Sequence, residues 1–149
     1  MELENGGKNE KWSRRYMDLA KHIAQWSKDS STKVGAVLVG RDRRRIAFGY
    51  NGFPLGIKDT PERYNDKETK YRLIQHAERN AMDNATFALD GATLAVTLFP
   101  CSECAKSIIQ KGIRRVLTPP LPDREPWATQ GRHSLAMFEE AGVVVEIIS

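Results

Sequence analysis

The 149 residues include only two cysteines, Cys101 and Cys104, which stand three apart directly behind Pro100. Residues i and i+3 on a helix share a face, so both sulfurs can point at one ion. The flanking residues read as a strand running into a helix, which puts the pair in a first helical turn. There the unsatisfied N–H groups and the positive end of the macrodipole lower a thiol's pKa and favour the thiolate. A third donor stands upstream, where His76, Ala77 and Glu78 open another helical segment. One imidazole and two thiolates make three protein ligands for Zn2+, with the sulfurs balancing the ion's charge. Structural zinc sites usually have four protein ligands; three leave a position open, as in catalytic zinc. Water in that position would have its pKa lowered to about 7. Such chemistry needs a proton shuttle, and Glu78 lies two residues from the imidazole. Because side chains at i and i+2 of a regular helix diverge, His76 is expected at or just before the irregular first turn, where both groups can face the ion.

Each piece alone is ambiguous. Cys-x-x-Cys between a strand and a helix also suits a dithiol oxidoreductase, in which His76 and Glu78 would be coincidental and bound metal absent. Together, His-x-Glu and Pro-Cys-x-x-Cys form the signature of zinc nucleobase deaminases, in which the glutamate is the general acid/base and not a ligand. His22 and His133 have no motif around them and read as ordinary helix residues.

Several elements must position these groups. Trp12 to Lys28 carries apolar residues at helical spacing, with Trp12 and Trp26 expected to help cover the core. Val34 to Val39 and Arg45 to Tyr50 read as a hairpin with an arginine-rich tip, Arg41 to Arg45. Asn51 to Lys70 has no clear period and is expected to be a long loop with at most a helical turn. Leu73 to Phe87 is the helix of His76. Ala92 to Phe99 is a third strand, Ser102 to Lys111 a helix stopped by Gly112, and Ile113 to Thr118 a fourth strand. After the loop begun by Pro119, Pro120 and Pro122, Arg132 to Ala141 reads as a helix ended by Gly142. Val143 to Ile148 reads as a final strand. Helical crossovers join parallel neighbours, so strands 3-4-5 are expected to be parallel, with the opening hairpin as an antiparallel edge. The expected architecture is a three-layer α/β/α fold on a five-stranded mixed sheet.

Composition bounds the rest. Hydrophobic residues make up 40% and charged residues 28%, with a mean hydropathy of -0.51, which excludes both a membrane-embedded and a disordered chain. The length suits one domain over 1–149, large enough to fold without a disulfide, with the polar stretch Met1 to Lys11 expected to be flexible. With no apolar signal region and no run long enough to span a bilayer, a cytoplasmic location is expected. Lys and Arg number 23 against 19 Asp and Glu, a net charge of +4. That excess favours an anionic partner, either a phosphorylated metabolite or nucleic acid.

From about Trp12 to Ile147 the chain resembles the deoxycytidylate (dCMP) deaminases of the cytidine deaminase superfamily. The resemblance is carried by Trp26-Ser27-Lys28-Asp29, Lys33-Val34-Gly35-Ala36-Val37, Gly49-Tyr50-Asn51-Gly52-Phe53-Pro54-Leu55-Gly56, His76-Ala77-Glu78-Arg79-Asn80-Ala81 and Phe99-Pro100-Cys101-Ser102-Glu103-Cys104. The zinc motif marks the superfamily, and the Gly-Tyr-Asn-Gly-x-Pro-x-Gly stretch narrows it to the dCMP branch. The resemblance implies zinc-dependent hydrolysis of dCMP to dUMP and ammonia, with His76, Cys101 and Cys104 on the metal and Glu78 shuttling the proton. It further implies that Asn51 hydrogen-bonds the sugar or base and that the Ala77 N–H holds the pyrimidine O2. For the 5′-phosphate the candidates are Lys33 and Lys70. Gly49, Tyr50, Gly52 and Pro54 fall in the segment through which relatives respond to dCTP and dTTP, and a homo-oligomer, hexamer or dimer, is implied. Trp26 replaces an arginine common in the family, Asn84 and Phe87 replace residues of some regulated relatives, and two cysteines cannot build the second zinc site of some phage relatives. Pro119 to Gln130, with Trp127, differs from animal relatives and is expected to shape the base pocket. A nucleic-acid-editing deaminase would use the same centre but needs a cationic surface along the strand, whereas the basic residues here are scattered outside the hairpin tip.

Overall fold

The structure, a computed structural model, describes residues 6–148. Helix α1 (Gly6–Ala24) is followed by the hairpin β1 (Gly35–Val39) and β2 (Ile46–Tyr50), then α2 (Pro61–Asn65), α3 (Lys67–Leu73) and α4 (Ala77–Asn84). Strand β3 (Thr93–Val96), α5 (Ser102–Gln110), β4 (Arg115–Thr118), α6 (Trp127–Ala141) and β5 (Val144–Ile147) complete it. The five strands form one sheet in the order β2-β1-β3-β4-β5. Strand β1 runs antiparallel to both β2 and β3, while β3, β4 and β5 are parallel. The expected mixed sheet, with its antiparallel hairpin and parallel strands 3-4-5, is the one observed.

Alternation along β1 puts Val37 and Val39 against Tyr16, Met17 and Ala20 of α1. Ala36 and Leu38 face the opposite layer, with Ala81 of α4, Ile108 of α5 and Phe138 of α6. Strand β1, flanked by β2 and β3, is therefore buried at all five positions. On the α4 face, a Cβ on Gly49 would come within 2.4 Å of the Ala81 backbone nitrogen, so only glycine lets this helix lie so close to β2. Gly49 and Tyr50 thus belong to β2 itself, and Gly52 forms an isolated bridge with Gln75.

Several expectations need correction. The first helix starts at Gly6, ahead of Trp12, with an i,i+4 pair between Glu10 and Arg14 at 3.7 Å; residues 1–5 lie outside the described residues. The 51–70 segment contains two short helices, because Thr60 caps α2 by accepting from the Arg63 N–H and Pro61 fits its first turn. Leu73 ends α3, and Ile74 to His76 are extended ahead of α4, because Gln75 exchanges backbone hydrogen bonds of 2.8 and 3.1 Å with Gly52. Helix α6 begins at Trp127, five residues before Arg132. Strand β5 is a half-exposed edge carrying Glu146, whose carboxylate accepts from Arg115 Nε at 3.0 Å.

Trp12 and Trp26 are 39% and 48% exposed rather than core residues. Trp26 lies beyond the end of α1, edge-on to Phe48 and Tyr50 on the open face of the edge strand β2. Among the described residues no helix is long and apolar enough to cross a membrane.

Candidate active site

His76 is the N-cap of α4, in extended conformation, which turns its ring away from the helix axis and toward the β3–α5 corner. Glu78 follows in the first turn, so both side chains reach one place despite their i,i+2 spacing. Cys101 is the N-cap of α5 and Cys104 its third residue. His76 Nδ1 lies 3.3 Å from Cys104 Sγ and 3.5 Å from Cys101 Sγ. The three ligand atoms all lie within 4.8 Å of one another. Zinc bonds of about 2.3 Å to sulfur and about 2.0–2.1 Å to nitrogen, opened to a tetrahedral angle, separate N and S ligands by about 3.5 Å. The donor set and its spacing therefore fit Zn2+.

The electrostatics agree with a cation site. Cys101 sulfur takes hydrogen bonds from the Cys104 thiol, from His76 and from the Cys104 backbone N–H, and these pull its pKa down to about 4. Cys104 holds the proton the two sulfurs share, and its hydrogen bond to Cys101 together with burial pushes it up. His76 is raised by its hydrogen bond to Cys101. The proton shared between the two sulfurs is the one a divalent ion would displace on binding this trio.

Glu78 is 4% exposed, and burial pushes its carboxyl up to about 7, against the opposing hydrogen bond from its own backbone N–H. A carboxyl with a pKa near neutrality can both accept and return a proton at working pH. The shift also has a stability consequence. Between the usual carboxylate value of 4.5 and about 7, the folded protein keeps a proton that the unfolded chain has released, so rising pH favours unfolding across that window. Chelator-treated wild type is expected to lose about 3 kcal/mol relative to Glu78→Gln between pH 4.5 and 8. Urea unfolding at those pH values checks this, and parallel pH dependences in the two proteins would contradict it.

A cavity of about 530 Å³ opens beside this centre, with His76, Ala77, Glu78 and Cys101 in its wall. Ala77, at the first helical position of α4, presents an N–H that has no acceptor within the helix. Asn51 is also in the wall, but its amide is engaged by the protein: Oδ1 accepts from the Val34 N–H at 2.8 Å and Nδ2 donates to the Thr32 carbonyl at 2.9 Å. Lys70 lines the cavity and is buried, with its ammonium 3.0 Å from Asp29 Oδ1. Asp29 also accepts from the Ser31 N–H at 2.9 Å, so this pair ties α3 to the 27–34 segment. Lys33 is exposed and does not contribute to the cavity wall.

Sequence reasoning missed Asp29, Tyr64 and Lys67 as cavity residues. Tyr64, stacked on Phe53 at 4.2 Å, comes from α2, a helix too short to show a period in the sequence. Trp127 and Gln130 also line the cavity, in the segment expected to shape a base pocket.

Residues 10–118 match the cytidine and deoxycytidylate deaminase zinc-binding region. The chain belongs to this family. Among the members of this deaminase family, the deoxycytidylate deaminase of Mus musculus is 39% identical over 140 residues, covering 89% of this chain and 76% of that one. An uncharacterized deaminase from the luxG 3′ region of Aliivibrio fischeri is 39% identical over 137 residues, covering 91% and 92%. The dCMP deaminase of cyanophage S-TIM5 superposes with a TM-score of 0.72 at 28% identity, over 93% of this chain and 98% of that one. The chain is accordingly a deaminase with a zinc-binding centre, and the dithiol reading loses its ground because His76 shares one site with both sulfurs.

Proposed function

We propose that this deaminase hydrolyses dCMP to dUMP and ammonia. The observation that carries the reading is a single cavity whose wall includes His76 and Cys101 of the metal-ligand trio, buried Glu78, and the cations Lys67 and Lys70. It is supported by the likeness to the S-TIM5 enzyme in complex with dCMP and dUMP, at 26% identity and a TM-score of 0.71.

Zinc held by His76, Cys101 and Cys104 supplies Lewis-acid activation of a water molecule. The protein's own groups do the rest. Glu78 takes a proton from the attacking water and delivers it to N3 as C4 becomes tetrahedral. The same carboxylate then carries the second proton to the amino group, which leaves as ammonia. The Ala77 N–H holds the pyrimidine O2. Asn51 fixes the 32–34 backbone that faces the sugar, with the second lone pair of its Oδ1 left for a hydroxyl. Lys67, exposed in the cavity wall, is the cation for the 5′-phosphate, because the charge of Lys70 is balanced by Asp29.

We also infer a homo-oligomer, with effector response in the 49–56 segment. Trp26, edge-on to Phe48 and Tyr50, forms an exposed aromatic cluster at that segment, and Leu55 within it is fully exposed. A cytoplasmic location keeps thiols reduced, as a two-cysteine metal centre requires.

One panel tests these statements: dCMP, CMP, deoxycytidine, dCTP, 5-methyl-dCMP and a stem-loop RNA, with and without added dCTP and dTTP, on protein whose mass is measured by light scattering. Equimolar dUMP and ammonia from dCMP are expected, with Lys67→Ala raising KM for dCMP about 10-fold and leaving deoxycytidine unaffected, as loss of one charge-assisted contact predicts. Ammonia from the RNA and none from dCMP would instead establish an editing enzyme.

A further inference from the structure

Helix α6 touches the metal centre's supporting corner at two points one turn apart. Gln130 Oε1 accepts from the Ser102 backbone N–H at 3.2 Å and from the Ser102 hydroxyl at 2.7 Å. The Ser134 hydroxyl, fully buried, donates to the Pro100 carbonyl at 2.7 Å. Pro100 and Ser102 are the two chain neighbours of Cys101. Gly131 lies between the two contacts, where a Cβ would come within 2.7 Å of the Leu121 side chain and 3.5 Å of Phe99.

We propose that Gln130 and Ser134 are positioning residues of the zinc centre, which grip the chain on both sides of Cys101 and so fix the direction of its sulfur. The inference rests on the metal-ligand part of the proposed function. The first N–H groups of α5 have no partner within their helix. Cys101 Sγ takes the one from Cys104 at 3.5 Å, and Gln130 takes the one from Ser102. With Gln130 gone, the Ser102 N–H and hydroxyl must find another acceptor, and the thiolate next to them is the strongest on offer. A sulfur drawn into those bonds turns away from the metal and gives it less electron density. On the other flank, freeing the Pro100 carbonyl loosens the backbone torsion that aims Cys101. Groups that orient a metal ligand typically contribute about 10- to 100-fold to metal affinity.

The test is zinc affinity, measured by competition with a chromophoric chelator, together with the visible spectrum of the Co2+-substituted protein. Gln130→Ala and Ser134→Ala are each expected to weaken zinc binding by about 10- to 100-fold and to change the Co2+ bands. Gln130→Glu keeps an acceptor for Ser102 and is expected to restore both readouts toward wild type, which a purely packing role would not produce. Melting of the metal-free proteins shows which variants fold; if Ser134→Ala does not, the Gln130 pair decides alone. Wild-type affinity and an unchanged Co2+ spectrum in folded Gln130→Ala overturn the proposal and leave the metal centre standing. A wild-type protein that takes up no zinc overturns both.

Discussion

Replacing Glu78 by glutamine is expected to lower kcat by about 10²- to 10⁴-fold, toward the upper end because one carboxylate serves two proton transfers. The amide keeps the volume of the side chain and can still accept from the Glu78 backbone N–H, so binding of dCMP changes little. It cannot take a proton from water or return one to the amino group. Burial favours this division of labour. At 4% exposure the carboxyl is screened from bulk water, and its pKa of about 7 leaves both protonation states populated at neutral pH. Zinc content by elemental analysis, alongside ammonia release and KM, checks the prediction. Turnover near wild type would remove Glu78 from the reaction, whereas loss of zinc from the variant would assign it to the metal instead.

Removing a ligand is expected to do more. Cys104 is 1% exposed and its sulfur is 3.3 Å from His76 Nδ1, so Cys104→Ala leaves two donors where three are needed. The affinity loss should exceed the 10- to 100-fold that accompanies loss of a group behind a ligand, and deamination should fall below detection. Stability reports the same event without any substrate. A ligand at about 1,000 times its Kd adds about 4 kcal/mol to the folded state. For a chain of this size each kcal/mol moves Tm by about 2–4 °C. Zinc added to chelated wild type should therefore raise Tm by about 10 °C, and Cys104→Ala should show no zinc-dependent rise. A rise of equal size in the variant would mean that zinc binds elsewhere.

The parallel part of the sheet was legible because each of its signals is local. Gly112 and Gly142 sit at φ of 78° and 79°, closing helices where their sequence positions indicated. The short helices of the 51–70 segment were less legible. They are only five and seven residues long, too short for a period to emerge from noise, although Thr60-Pro61 was a readable start signal. The start of α6 escaped for another reason. Trp127 to Gly131 has no amphipathic stripe of its own, and the residues Gly131 lies against, Phe99, Leu121 and Pro122, are outside the helix.

The roles of the lysines show where a sequence stops being informative. Lys33, Lys67 and Lys70 carry the same charge in the chain. Folding exposes Lys33 outside the cavity, puts Lys67 in its wall and pairs Lys70 with Asp29, forty-one residues away. Nothing within a few residues of Lys70 announces that partner.

What the sequence determined by itself was the chemistry: which side chains can bind a soft divalent ion, and which carboxylate can move a proton beside it. Spacings of two and three residues fix donors relative to one helix end, and helix geometry is the same in any fold. What only the tertiary structure decided was the company those groups keep. It set the burial that raises Glu78, the pairing that neutralises Lys70, and the grip of Gln130 and Ser134 on the Cys101 corner. Those depend on contacts between residues distant in the chain, and a long-range contact has no local pattern from which to be read.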